Sequence, residues 1–98
     1  MNAFVTGGSR GIGRSIVLKF VENGWGCAFT YVSNPEAAEE TIRLAKEKNP
    51  QANVKAYVLD IKDAEQEEKV VDAAIDDFED IHALVNNAAL LKNNAAAL

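Results

Sequence analysis

The chain has 98 residues, of which 48% are hydrophobic and 26% are charged, a composition typical of one soluble globular domain. Its formal net charge of -5 comes from acidic residues scattered along the chain, and no basic stripe could neutralise the phosphates of DNA or RNA. Nucleic acid is therefore not an expected partner. The single cysteine, Cys27, excludes an internal disulfide and favours the cytoplasm. Without a basic leader or an apolar run near ~20 residues, neither secretion nor membrane insertion is expected.

The first part of the sequence predicts a strand, a helix and a second strand. Residues 3–5 form a short apolar run that meets glycines, as a buried parallel strand does when it enters a turn. From Ile12 the apolar residues recur at a spacing of three to four, and Asn23-Gly24 provides a helix stop. Residues 27–32 are rich in aromatic and β-branched side chains, which predicts the second strand.

The middle of the sequence predicts the second helix and the third strand. Residues 33–36 place a capping side chain before a proline that suits the first turn of a helix. This helix runs through residues 37–48 and ends at Asn49-Pro50, because proline cannot donate to a continuing helix. Residues 54–59 then predict the third strand.

The third helix and the fourth strand follow. Asp63 and Gln66 have the spacing of a capping box, in which each side chain bonds to the backbone amide of the other residue. The apolar face of the helix is predicted to consist of Val70, Val71, Ala74, Ile75 and Phe78. Residues 81–85 predict the fourth strand.

Short strands that alternate with amphipathic helices predict an α/β fold with a parallel sheet, because the helices serve as crossovers. The doubly wound solution orders the strands 3-2-1-4, which gives a partial Rossmann fold in one domain, residues 1–98. The first two helices would cover one face of the sheet, and only the third would cover the other. We therefore expect a fold that is truncated after strand four, with strand four as an apolar edge of the sheet. Because such an edge favours association, we expect the isolated chain to aggregate or to stay partly unfolded.

A glycine-rich segment, residues 6–13, joins the first strand to the first helix. Gly7, Gly11 and Gly13 would let a pyrophosphate approach the first amides of the helix, where the helix dipole is positive. This glycine spacing is weak evidence alone, and a plain structural turn is the alternative. The strand before the segment and the helix after it favour a dinucleotide site.

With this segment and with Asn-Asn-Ala-Ala at residues 86–89, the whole sequence resembles the short-chain dehydrogenase/reductase family. Ala89 departs from the family's Asn-Asn-Ala-Gly motif, and its methyl group would crowd the backbone near the adenosine half of the cofactor. The resemblance implies that Asp60, with Ile61 beside it, contacts the adenine ring; an acid in a helix-entry loop is the alternative. The expected cofactor-binding residues are Gly7, Ser9, Arg10, Gly11, Ile12, Gly13, Ser33, Asn34, Asp60, Ile61, Asn87, Ala88 and Ala89.

The choice of cofactor depends on the end of the second strand. An acid there would hydrogen-bond the ribose 2′-hydroxyl of NAD and repel a 2′-phosphate. The stretch from Tyr31 to Asn34 contains no acid, and Arg10 matches a position where NADP-preferring family members carry a basic residue. Ser33 and Asn34 add neutral donors. A solvated loop charge is the alternative for Arg10, but the missing acid favours NADP(H).

The resemblance also implies a catalytic serine and a Tyr-x-x-x-Lys pair, and residues 1–98 do not contain that pair. Tyr31 is followed four positions later by Pro35, and Tyr57 by Ile61. We therefore assign no catalytic residue and expect the chain alone to be inactive. The complete protein would be an NADPH-dependent oxidoreductase of the ketone reductase type, which acts on carbonyl or alcohol substrates as a homo-oligomer.

Residues 89–94 are similar to a loop of the 3-oxoacyl-acyl-carrier-protein reductase branch of the family, in which a basic residue precedes an Asp-Asn or Asn-Asn pair. This similarity implies a role in fatty acid biosynthesis and a substrate linked to acyl-carrier protein. Two alternatives stay open. One is a non-catalytic dinucleotide-binding sensor or regulatory module, and the other is a scaffold with a degenerate cradle.

The remaining reactive side chains have structural interpretations. His82 is the only histidine and has no cysteine, aspartate or second histidine spaced to assist it, so neither catalysis nor a metal site is expected. Cys27, within the second strand, is interpreted as a core residue. Trp25, Phe29 and Tyr31 occupy alternate positions of one strand, which indicates one packed face.

Overall fold

The computed structural model describes residues 1–60 and 62–87, which form a four-stranded sheet with three helices. In chain order the elements are β1 (Asn2–Val5), α1 (Gly11–Glu22), β2 (Gly26–Tyr31), α2 (Pro35–Lys48), β3 (Val54–Val58), α3 (Ala64–Phe78) and β4 (Ala83–Val85). Every predicted strand and helix is present. The largest difference at a strand end is that β4 begins at Ala83 rather than at Ile81. Ile81 precedes the strand and packs against a cluster formed by strand residues Phe4 and Ala28 and helix residues Ala74 and Phe78.

All strand pairs of the sheet are parallel, and the strands lie in the order β3-β2-β1-β4. Val5 of β1 lies opposite Phe29 of β2 on one side and opposite Val85 of β4 on the other. This order confirms the predicted doubly wound α/β fold. Because the chain leaves β1 first towards β3 and later towards β4, the carboxyl ends of β1 and β4 flank the switch point where ligands bind in such sheets.

The helices divide between the two faces of the sheet as predicted. Val17 of α1 and Ala38 of α2 belong to a buried cluster with Phe29 on the first face. Ala74 of α3 packs with Phe4 on the second face. The predicted place of Ile75 in the apolar contact is wrong, since its side chain is 42% exposed. Successive helical residues point about 100° apart, so a helix that turns Ala74 to the sheet turns Ile75 aside.

Side chains cap α2 and α3 at their N-termini. The Oδ1 of Asn34 accepts a hydrogen bond from the amide of Ala37 at 3.0 Å, and the Oδ1 of Asp63 accepts one from Gln66 at 3.1 Å. The second half of the predicted capping box is wrong, because the Oε1 of Gln66 accepts from the amide of Asp60. The amide of Asp63 already donates to the carbonyl oxygen of Asp60, so the glutamine serves an earlier amide instead.

The structure confirms the core role of Cys27 and the packed face of Trp25, Phe29 and Tyr31. Cys27 is fully buried in the cluster of the first face, and Trp25 and Tyr31 pack against that cluster. The ring of His82 meets that of Trp25 edge-on, with centroids 6.4 Å apart, and its Nδ1 accepts from the amide of Asn2 at 3.0 Å. Within residues 1–60 and 62–87, no helix is both long enough and apolar enough to cross a bilayer.

Candidate functional site

A cavity of about 420 Å³ lies at the carboxyl ends of β1, β2 and β3. Its walls are the loop after β1, the segment between β2 and α2, and the turn after β3. This volume is in the range of pockets that hold small organic ligands. Six of the predicted site residues line it: Gly7, Ser9, Arg10, Ser33, Asn34 and Asp60.

The loop after β1 turns sharply against β2. Gly7 has a φ of 72°, in the left-handed region where a side chain would be strained. The amide of Gly7 donates to the Oγ1 of Thr30, and the amide of Gly8 donates to the carbonyl oxygen of Thr30, each at 3.0 Å. A Cβ at Gly8 would lie 2.6 Å from the Cβ of Phe29. Glycine at this position therefore lets the loop approach β2 closely.

Residues that follow β4 hold the other side of this loop. Asn87 is 6% exposed, and its Nδ2 donates to the carbonyl oxygen of Gly7 at 3.3 Å. The Oγ1 of Thr6 lies 3.2 Å from the Oδ1 of Asn86, to which it donates. A Cβ at Gly13 would overlap the carbonyl oxygen of Gly7 and lie 2.9 Å from the Nδ2 of Asn87. The structure thus places Asn87 and Gly13 behind the loop, beside the cavity rather than in its wall.

The first turn of α1 has backbone amides that no side chain caps in the described part of the chain. Arg10 is the N-cap residue and makes no capping hydrogen bond through its side chain, whereas α2 and α3 are capped by Asn34 and Asp63. The first amides of a helix have no carbonyl partner within the helix. A Cβ at Gly11 would meet no heavy atom within 4 Å, so the backbone at Gly11 can be approached from outside the helix. Such a helix start can hold a phosphate group.

The wall of the cavity carries two cationic side chains. Arg10 lines it from the loop after β1, and Lys62 lines it from the turn after β3. Asp60 is the one acid among the described residues that line the cavity, and Glu36 lies in α2 outside the wall. The end of β2 is therefore free of the negative charge that would repel a phosphate. Sequence reasoning missed Lys62, although a basic residue two positions after the acid that follows a strand was a usable signal.

Asp60 closes its own turn and also lines the cavity. Its Oδ1 accepts from the amide of Lys62 at 3.0 Å, and its own amide donates to the Oε1 of Gln66 at 3.0 Å. Asp60 therefore acts as an acid in the loop that leads into α3, which was the alternative to a cofactor contact. Contact of Asp60 with an adenine ring stays a prediction.

The remaining predicted site residues are either outside the cavity wall, outside the described residues, or already engaged in a cap. Ile12 is 63% exposed in the first turn of α1, where its backbone amide belongs to the uncapped set. Ile61, Ala88 and Ala89 lie outside the described residues, so their cofactor contacts stay predictions. The Oδ1 of Asn34 is engaged in capping α2, so the group that it could offer a ligand in the cavity is its Nδ2.

Cys27 and Tyr57 have raised pKa values, and neither residue lines the cavity. Burial raises the pKa of the Cys27 thiol to about 12, so the thiol stays protonated and unreactive at neutral pH. Tyr57 of β3 donates to the Oδ2 of Asp77 in α3 at 2.6 Å, and burial together with this hydrogen bond raises the pKa of Tyr57. In the part of the chain that the structure describes, no group of His, Cys, Asp and Glu side chains could hold a metal ion.

Comparisons with known proteins agree on one family. The profile described as short chain dehydrogenase matches residues 1–98. The 3-oxoacyl-acyl-carrier-protein reductase of Staphylococcus aureus is 34% identical over 93 residues, which are 95% of this chain and 37% of that protein. An uncharacterized oxidoreductase of Escherichia coli is 43% identical over 91 residues, covering 91% of this chain and 35% of that protein.

Solved structures show the same likeness. A short-chain dehydrogenase/reductase of Serratia marcescens has a TM-score of 0.81 at 35% identity, and the match covers 87% of this chain and 34% of that chain. The chain therefore spans about a third of the length of the relatives that it matches.

Proposed function

Because the chain belongs to the short chain dehydrogenase family, we propose that it binds NADPH as part of an oxidoreductase that reduces a ketone carbonyl. The observation that carries this proposal is the uncapped first turn of α1, which lies next to a cavity with Arg10 at their junction. The amides of residues 11–13 would hold the diphosphate, and the adenosine would extend towards Asp60. NADPH supplies the hydride, and the residues of this chain bind and orient it.

The proposed preference for NADPH over NADH rests on charge. A 2′-phosphate at the end of β2 would lie near Ser33 and Asn34, with the guanidinium of Arg10 as its cation. The Nδ2 of Asn34 would donate to it while the Oδ1 continues to cap α2. Since the first acid after β2 is Glu36, no carboxylate on this segment opposes the phosphate.

The activity of the whole protein is proposed from its relatives. The chain spans about a third of their length and contains no Tyr-x-x-x-Lys, so we assign carbonyl binding and protonation to residues outside 1–98. The Staphylococcus aureus relative is named for the reduction of a 3-oxoacyl group on acyl-carrier protein. A 3-oxoacyl thioester is therefore our proposed substrate class. We further propose a cytoplasmic homo-oligomer.

Calorimetric titration with NADPH and NADH tests the cofactor assignment. We expect the protein to bind NADPH at least about tenfold more tightly than NADH, as one charge-assisted contact provides. Arg10→Glu replaces the cation by an anion and should lower this ratio by about tenfold or more. Lys19→Glu makes the same charge change at an exposed position of α1 outside the cavity and should leave the ratio unchanged.

An unchanged ratio in Arg10→Glu would contradict the preference for NADPH. If neither nucleotide binds at millimolar concentration, nucleotide binding itself is wrong and the scaffold is favoured. Turnover separates the enzyme from the sensor: a protein of the relatives' full length that includes these residues should oxidise NADPH when a 3-oxoacyl thioester is added. A sensor would bind NADPH without consuming it.

A further inference from the structure

A hydrogen-bonded pair, Thr41 of α2 and Arg14 of α1, contacts the back of the loop that follows β1. Thr41 is fully buried, and the Nε of Arg14 donates to its Oγ1 at 2.9 Å. The Oγ1 of Thr41 lies 3.1 Å from the carbonyl oxygen of Gly8 and 2.9 Å from that of Ser9. The Nη2 of Arg14 donates to the same Ser9 oxygen at 2.6 Å. Two carbonyl groups of the loop are therefore held from the side of α2.

Holding these carbonyls fixes the direction of two amides. In a trans peptide the N–H points opposite to the C=O, and the described residues contain no cis peptide. The carbonyl of Gly8 shares its peptide plane with the amide of Ser9, and the carbonyl of Ser9 shares its plane with the amide of Arg10. The carbonyl of Gly8 points towards Thr41, and the carbonyl of Ser9 points towards Thr41 and Arg14, so both amides point away from α2. Ser9 and Arg10 both line the cavity, as does Gly7.

We propose that Thr41 and Arg14 are positioning residues of the nucleotide site, which direct the amides of Ser9 and Arg10 towards the diphosphate. The inference rests on the proposed function, because it concerns the same site. The guanidinium on the Ser9 carbonyl also polarises the Ser9–Arg10 peptide, which strengthens the Arg10 amide as a donor. Neither positioning side chain contacts the nucleotide.

A purely structural role for Thr41 would be a hydrogen bond to the carbonyl one turn earlier in its own helix. The Oγ1 of Thr41 does lie 3.2 Å from the carbonyl oxygen of Ala37, but a hydroxyl has one proton and both loop oxygens are nearer. Because Arg14 already donates to the Ser9 oxygen, the hydroxyl proton is available for the Gly8 oxygen. Arg14 donates to the same hydroxyl, which leaves the hydroxyl proton for a carbonyl. Valine would fill the same volume without any of these bonds, so Thr41→Val isolates the hydroxyl.

The first arm of the test needs no nucleotide. The amide of Gly8 is bonded to the carbonyl of Thr30 at 3.0 Å, so its hydrogen exchange reports how firmly the loop is held. We expect Thr41→Val to speed this exchange about tenfold relative to the amides of β2, and Thr41→Ser to restore it to within about twofold. Asp63→Ala removes the cap of α3, far from the loop in sequence, and controls for a general loss of stability.

The second arm compares two ligands by calorimetry. NADPH contains the diphosphate, whereas adenosine 2′-monophosphate lacks it. Thr41→Val should raise the Kd for NADPH about tenfold and the Kd for adenosine 2′-monophosphate less than about twofold, and Thr41→Ser should recover the NADPH affinity.

Each failure has a distinct meaning. Equal Gly8 exchange in the wild type and Thr41→Val overturns the positioning role, even if NADPH binds. Equal weakening of both ligands overturns it too, because the effect would not depend on the diphosphate. If the wild type binds neither ligand, the proposed function is wrong, and the exchange arm still decides whether Thr41 holds the loop.

Discussion

The Nδ2 of Asn87 donates a hydrogen bond of 3.3 Å to the carbonyl oxygen of Gly7, although the two residues lie 80 positions apart in the sequence. They meet because β1 and β4 are neighbours in the sheet, with Val5 opposite Val85. The conformation of the loop after β1 therefore depends on the strand order and not only on its glycines.

Asn87→Ala would leave the carbonyl of Gly7 without this donor. We expect it to lower the free energy of unfolding by about 1–3 kcal/mol and to weaken NADPH binding as the loop relaxes. Asn87→Asp keeps the shape of the side chain but puts an oxygen in place of the Nδ2, next to the carbonyl oxygen of Gly7. It should therefore lower the free energy of unfolding more than Asn87→Ala does. Urea unfolding measures both changes. An Asn87→Asp variant as stable as Asn87→Ala would contradict the role of the Nδ2 as donor.

Two glycines at the start of α1 differ in what a methyl group would meet. At Gly13 it would overlap the carbonyl oxygen of Gly7, whereas at Gly11 there is open space but a φ of 62°. Gly13→Ala should therefore destabilise the fold by about 3 kcal/mol or more and abolish nucleotide binding. Gly11→Ala should cost only the strain of a left-handed backbone, about 1–2 kcal/mol. Urea unfolding measures both variants. If Gly13→Ala and Gly11→Ala lower the free energy of unfolding by similar amounts, Gly13 is not closely packed against Gly7.

Cys27 should make stability depend on pH in the alkaline range. Burial raises its pKa from 9.0 to about 12. The buried neutral thiol therefore makes its full contribution to the free energy of unfolding below pH 9, and this contribution is lost as the pH rises towards 12. In this window the free energy of unfolding of the wild type should fall faster than that of Cys27→Ala, by up to about 1.4 kcal/mol per pH unit. Urea unfolding at a series of pH values measures the difference. Parallel pH curves would place the thiol in water.

Leu84 exposes an apolar side chain on an edge strand. It is 69% exposed and shares the face of Phe4, because Ala83 and Val85 on either side pack towards α1 and α2. An exposed apolar edge of this kind favours association, so we expect the chain to self-associate and Leu84→Lys to reduce it. Asp72→Asn raises the net charge by the same unit at an exposed position of α3 and serves as the control.

Sedimentation at several concentrations measures this association. A monomer at every concentration would contradict the expectation, as would a sharp, reversible melt that does not depend on concentration. An equal effect of Asp72→Asn would assign the change to net charge instead of to the apolar side chain.

The order of the elements could be predicted because the signals for it are local. Apolar spacing marks the helices, and the stop predicted at Asn23-Gly24 corresponds to a φ of 88° at Gly24. The cap at Asn34 was likewise readable, since the side chain and the amide of Ala37 lie within one helical turn. Parallel pairing and the strand order then followed from the alternation of strands and helices.

Contacts that depend on packing could not be predicted in this way. Thr41 reads as an ordinary residue of the second helix, and only the packing of α1 on α2 brings it to Ser9. The partner of Gln66 depended on which amide was left once Asp63 had bonded to Asp60. Ile75 fits the apolar period of its helix, but the contact with the sheet is too narrow to include it.

The central claim is that the amides at the start of α1 hold the diphosphate of NADPH. Amide chemical shifts recorded during a titration with NADPH test it most directly. We predict the largest shifts at residues 9–13, with smaller ones at Ser33 and Asp60. A second cavity lies on the far part of α1 and is lined by Ile16, Lys19, Phe20, Asn23 and Trp25. Shifts confined to this second cavity, or none at saturating NADPH, would contradict the claim.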